Sequence, residues 1–105
     1  MRVIIDKQVD TIIREFYTEA LRLHPTLDSQ TIILKIHRLY DSLEILGRFP
    51  HIYAVAQFRD EWKEKEYRVL VCEDFLFAYK VYDDPTTGTQ YVYIHDAVHS
   101  LLYHD

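Results

Sequence analysis

The stretch from Tyr67 to His99 constrains the fold more than any other part of the chain, because it contains three strand-like runs separated by short turns. The runs are Tyr67 to Cys72, Phe75 to Tyr82 and Gln90 to His95. All are dense in β-branched and aromatic residues and bounded by polar clusters, the pattern of chain that prefers a pleated, half-buried surface. Only Glu73-Asp74 separates the first two runs, which leaves room for a two-residue hairpin loop without the glycine that such loops favour. Antiparallel partners keep a constant index sum, so Cys72 lies opposite Phe75, Leu70 opposite Phe77 and Arg68 opposite Tyr79. Opposed residues share a face. Arg68, Leu70, Cys72, Phe75, Phe77, Tyr79 and Val81 therefore line one side, and Val69, Val71, Leu76, Ala78, Lys80 and Tyr82 the other. Both sides are largely apolar and both need cover. Helices are expected on one, and a partner, a second subunit or a tail on the other.

The first half of the chain supplies the helices. Arg2-Val3-Ile4-Ile5 reads as a short edge strand. From Asp6 to His24, the residues Val9, Ile12, Ile13, Phe16, Ala20 and Leu21 recur at helical spacing, and Pro25 ends the run by disfavouring helical geometry in the residue before it. A second helix is expected to begin near Thr26 or Asp28, to bury Ile32, Ile33, Ile36, Leu39, Tyr40, Leu43 and Leu46, and to stop at Gly47. The expected fold is α+β: a small antiparallel sheet packed against an N-terminal α-hairpin, in the order β-α-α-β-β-β, with residues 1–105 as one domain.

At 105 residues and 49% hydrophobic composition the chain can bury a core of its own. It shows no signal-peptide pattern and no apolar run approaching a membrane span, so a soluble, unprocessed, cytoplasmic protein is expected. The single cysteine, Cys72, excludes an internal disulfide and lies in a strand-like run, where packing is its ordinary role. The net charge of −5 disfavours unaided binding to nucleic acid. Residues 1–53 are balanced, with seven basic and seven acidic side chains, whereas residues 54–105 carry five basic against ten acidic.

Few motifs point to chemistry on their own. Asp83-Asp84-Pro85-Thr86-Thr87-Gly88-Thr89 lacks the ligand periodicity of a calcium loop and reads as an exposed hairpin turn. His37 has no companion at a metal-ligand interval. His24 and His51 flank prolines, and the i, i+4 spacing of His95 and His99 binds metal only on a helix, so no metal and no cofactor are expected. A cation, Arg68, and an imidazole, His99, stand at opposite ends of the strand region. Brought together, they would be the minimum for chemistry on a phosphate.

Several landmarks in sequence order resemble the RelE/ParE superfamily of bacterial toxins. They are Leu43 to Pro50 closing the second helix, Tyr67-Arg68-Val69, Phe77-Ala78-Tyr79-Lys80-Val81, and Val92-Tyr93-Ile94 leading to Val98-His99. The resemblance covers nearly the whole chain through short motifs, and it implies the same small sheet with an α-hairpin. It also implies the toxin of a type II toxin–antitoxin (plasmid stabilisation) module, held by a cognate antitoxin protein, with homodimerisation as a further possibility. The activity expected first is that of the branch that cuts messenger RNA on the ribosome, as an endoribonuclease; the alternative is that of the branch that inhibits DNA gyrase by protein binding. A third outcome is a degenerate, non-toxic member that keeps antitoxin binding. For RNA cleavage the resemblance assigns Arg68 to the phosphate and His99 to acid–base work, Lys63 and Lys65 to substrate binding, and Tyr93 or Tyr103 to stacking on a base. Ser100-Leu101-Leu102 follows His99 where many relatives carry a basic pair, and Glu64 and Glu66 alternate with the two lysines.

Overall fold

The computed structural model describes residues 1–100; Tyr103 and His104 lie outside them. The order is β1 (Arg2–Ile5), α1 (Lys7–Leu23), α2 (Ser29–Ile45), α3 (Asp60–Glu64), β2 (Arg68–Cys72), β3 (Phe75–Asp83) and β4 (Gln90–His99). The four-stranded sheet runs β1-β4-β3-β2. β2, β3 and β4 form an antiparallel meander, and β1 joins it parallel to β4, so the sheet is mixed.

Local signals act as expected in the helical half. Asp6 caps α1 through its carboxylate on the Gln8 N–H, and Asp28 caps α2 in the same way on Gln30, each satisfying a donor that the helix leaves open. α1 buries Val9, Ile13 and Tyr17, and α2 buries Ile32, Leu39 and Leu43. These residues pack on Leu70, Phe75, Phe77, Tyr79, Val92, Ile94 and Ala97, which share one sheet face. Gly47 follows α2 for a reason other than a left-handed cap. A side chain there would sit 2.4 Å from the Met1 carbonyl oxygen, so only glycine lets the start of the chain pass so close.

The register of β2 and β3 matches the index-sum expectation, with Arg68 on Tyr79, Leu70 on Phe77 and Cys72 on Phe75. Glu73 supplies the turn by adopting φ 52°, which a glycine would adopt more easily. β4 runs on past His95 to His99. Ala78 pairs with Asp96 but Tyr79 with Ile94, so His95 is an extra residue in a bulge. The bulge resets the alternation. Tyr91, Tyr93 and His95 face away from the α-hairpin, as do Asp96 and Val98 after it, while Ala97 and His99 turn toward the helices.

Much of the second sheet face is covered by the chain itself, leaving Val71 on the edge strand exposed, which corrects the expectation that a partner, second subunit or tail must meet the whole face. The connection from α2 to β2 folds back over the sheet, and Trp62 on α3 is fully buried with Ala56, Tyr67, Leu76 and Ala78. Ala56 N–H donates to the Tyr67 carbonyl at 2.8 Å and Val69 N–H to the Ala54 carbonyl at 3.1 Å, so this cover also pairs with the outer edge of early β2. Trp62 Nε1 donates to Asp96 Oδ2 at 3.0 Å, and the Arg59 guanidinium lies 4.9 Å over the indole. Beyond this cover the outer face carries Tyr82, Tyr91, Tyr93, His95 and Lys80, side chains with apolar bodies and polar tips that tolerate water.

Trp62 thus carries both the packing and the polar anchor of the second layer. Trp62→Phe is expected to cost about 2 kcal/mol by leaving Asp96 Oδ2 without the indole donor, the other oxygen keeping the Ala97 N–H. Trp62→Ala should cost about 3–5 kcal/mol by opening a cavity as well. Urea unfolding measures both, and a loss below about 1 kcal/mol for Trp62→Ala would show that the α3 cover contributes little.

Candidate functional site

Arg68 and His99 share the helix-facing side of the sheet but not one end of it. Arg68 pairs with Tyr79, and His99 pairs with Phe75, on the opposite flank of β3. Four residues at about 3.3 Å each and two strand spacings of about 4.8 Å put their Cα atoms roughly 16 Å apart. The packed side chains of Leu70 and Phe77 lie between them. A single phosphate would have to touch both groups at hydrogen-bond range, and this arrangement does not allow it. The Arg68 guanidinium is instead turned toward the segment after α2, donating to the Tyr53 carbonyl at 2.6 Å and reaching the His51 carbonyl at 3.5 Å. Beside it the buried Tyr79 hydroxyl completes no hydrogen bond of ordinary geometry. Burial holds its proton more firmly than usual, against the opposing charge of Arg68.

His99 stacks on Phe16, with ring centroids 4.2 Å apart, and meets Phe75 edge to face. It borders a cleft of about 410 Å³ shared with Leu23, Leu27, Lys35 and Asp74. Asp74 Oδ2 accepts from Tyr17 Oη at 2.9 Å and from Lys35 Nζ at 3.0 Å, so one carboxylate in the β2–β3 turn ties down both helices. Burial would raise the Asp74 carboxyl, but the hydrogen bonds from Lys35 and Tyr17, with the nearby charges of Lys35 and His99, outweigh it and hold it below the ordinary value. Burial and Asp74 together push the Tyr17 phenol far up. The group is satisfied as a structural clasp.

The remaining candidates gather on the outer face. Tyr93 Oη donates to Asp6 Oδ2 at 2.8 Å. Lys65 pairs with Glu61 at 3.3 Å and sits 5.9 Å over the Tyr67 ring, and the exposed Lys63 occupies the same short helix, α3. At the centre of this face is His95, which the bulge presents. Its ring stacks on Tyr67 at 4.6 Å, lies 4.5 Å from Tyr93 and meets Tyr82 Oη through Nε2 at 2.6 Å. Burial lowers the His95 pKa from its ordinary value of 6.5, helped by Lys65 and Lys80, while Asp6 and Asp96 oppose the shift. The ring is neutral at pH 7. Burial also raises the Tyr82 pKa, so the contact joins a neutral phenol to the imidazole.

Sequence reasoning therefore singled out His99, and the structure gathers aromatic and basic groups around His95. Tyr82 is placed on this face by the strand alternation alone, whereas Tyr67, Trp62 and Asp96 were missed as parts of it. A lone tryptophan inside Asp60-Glu61-Trp62-Lys63-Glu64 was the available signal, since an indole in so charged a run has to fold inward. Among the described residues no helix is long and apolar enough to cross a membrane, and no group of three or more His, Cys, Asp or Glu side chains is placed to hold a metal ion. The Asp84 carboxylate accepts from the Thr86 N–H at 2.9 Å, closing the polar turn on itself. No family model, curated protein or solved structure matches the chain.

The His95 environment has a consequence for acid stability. Its folded pKa lies below the unfolded value of 6.5, so the unfolded chain takes up this proton first as pH falls. The contribution is intact above 6.5 and is lost as pH drops from there through the folded value. Thermal melts between pH 8 and pH 5 should show His95→Gln losing less stability than the parent over that window. Equal losses would mean that His95 does not carry the effect.

Proposed function

We propose that the chain is the toxin of a type II toxin–antitoxin module of the RelE/ParE kind, and that it acts by contact with a protein target, in the manner of the gyrase-inhibiting branch. The landmarks from Leu43 to His99 and the α-hairpin on a small sheet support the family reading. The separation of Arg68 from His99 carries the choice of mechanism. A contact inhibitor needs a surface and no acid–base pair, and the acidic half of the chain does not hinder it. Fold alone assigns neither activity, so the argument rests on these positions.

A second reading has its own observation. His95 is neutral, close to Tyr82, and flanked by Lys65 and Lys80, which suits a general base on an RNA-facing surface. On this reading the message is cut on the ribosome with His95, not His99, as the base.

Induced expression of the full chain in growing bacteria separates the two. Contact inhibition predicts arrest with continuing translation, intact message and accumulating DNA breaks, and His99→Phe, which keeps the stack on Phe16, should arrest growth as strongly as the parent. Cleaved message that disappears in a folded His95→Ala variant would replace the contact reading with the nuclease one. An absence of arrest at high expression would favour a non-toxic member.

A further inference from the structure

Residues 45–59 form the longest stretch of the chain without aspartate or glutamate, in a protein that carries 17 acidic side chains. The segment leaves α2 through successive turns, with Phe49 N–H donating to the Ile45 carbonyl and Ile52 N–H to the Phe49 carbonyl. Those turns display large apolar side chains: Ile45 is 49% exposed, Phe49 55%, Ile52 63% and Tyr53 36%. Arg48 and His51 are exposed among them, and the Arg68 guanidinium holds the Tyr53 carbonyl from below at 2.6 Å. An anchored loop that presents apolar side chains to water is arranged for contact, since its ordering cost is met before a partner arrives.

We propose that residues 45–53, with Arg48 and His51, are the surface by which this chain meets its protein target, and that the target presents an acidic segment with apolar side chains. The inference rests on the protein-contact reading and names the surface and the partner chemistry for it. Charge complementarity selects the partner: an acidic segment meets the chain's own carboxylates over much of the surface, whereas this segment offers Arg48 and His51 without a like charge of its own. The apolar content selects protein over RNA. Phe49 and Tyr53 would serve either partner, but Ile45 and Ile52 are aliphatic and suit aliphatic side chains, and Arg48 alone among residues 45–53 falls short of the track of cations an RNA platform needs. α2 also exposes Ile33 and Leu34, but those lie outside the longest acid-free stretch of the chain.

The test uses the full chain and three probes in fluorescence anisotropy: a helical peptide alternating leucine with glutamate, the same peptide with lysine for glutamate, and a single-stranded RNA of matched length. The acidic peptide is expected to bind about tenfold or more tighter than the basic one. The paired change Arg48→Glu with Ile52→Ser should erase that preference at unchanged thermal stability, while Tyr82→Phe on the far face keeps it. Equal binding of the two peptides, tighter binding of the RNA, or self-association through this loop in place of peptide binding would overturn the proposal. If the paired variant loses the peptide but still arrests growth, the surface is not the one used on the target, and the assignment falls. If the parent never arrests growth but the acidic preference holds and is lost in the paired variant, the surface and its partner chemistry stand and the toxin reading fails instead.

Discussion

The bulge at His95 decides what each face of this sheet can do. One extra residue in β4 reverses the in-and-out alternation between Ile94 and Asp96, and three consequences follow from that single step. His95 and Asp96 both face outward, where Asp96 receives the indole N–H of Trp62 and so fixes the second layer. His95 is pressed into a tyrosine cluster that keeps it neutral. His99, which an unbroken strand would have placed outward with Tyr91 and Tyr93, is turned under the helices against Phe16. An imidazole that reads as surface chemistry in the sequence is thus a packing ring beside a structural carboxylate.

Two covers on one sheet also change what the apolar strands mean. Alternating strands with apolar residues on both faces ordinarily call for a three-layer arrangement or a partner. Here the second layer is one short helix carrying one tryptophan. It shields Leu76 and Ala78, while the open remainder of the face is tyrosine, histidine and lysine with Val71, 65% exposed, on the edge strand. A partner is therefore not required to bury the sheet, and any partner has to be argued from exposed surface instead. In the turns after α2, Phe49, Ile52 and Tyr53 lie exposed beside Arg48.

Local rules carried most of the fold in the sequence. Asp28 as a cap, Pro25 as a stop and the Glu73-Asp74 turn are short-range signals, and the structure places helices and register where they point. What stayed hidden was non-local. The bulge depends on how Ala78 and Tyr79 meet β4, so the run that looked finished at His95 continues to His99. α3 holds its place through Trp62 reaching a residue 34 positions away, which no window around Asp60 reveals. The parallel pairing of β1 with β4 is of the same kind, since parallel partners lie far apart in sequence. The separation of Arg68 from His99 stayed hidden for this reason: both lie at strand ends, and only the strand order tells which ends meet.

Charge placement then follows from the packing. The clasp at Asp74 uses one carboxylate to hold Tyr17 on α1 and Lys35 on α2, tying the hairpin to the β2–β3 turn, so that acid serves the fold. Asp96 and Asp6 are spent similarly, on Trp62 and on Tyr93 with the α1 cap. Exposed carboxylates such as Glu61 and Glu64 remain on α3 beside the two lysines that would otherwise form a basic track. A phosphate chain approaching Lys63 and Lys65 meets those carboxylates at the same range as the cations, and the counterion release that drives such binding is correspondingly reduced. The turns after α2 escape this cancellation because no acid lies within them. The contact surface proposed there is thereby matched to a partner that brings negative charge on an apolar scaffold.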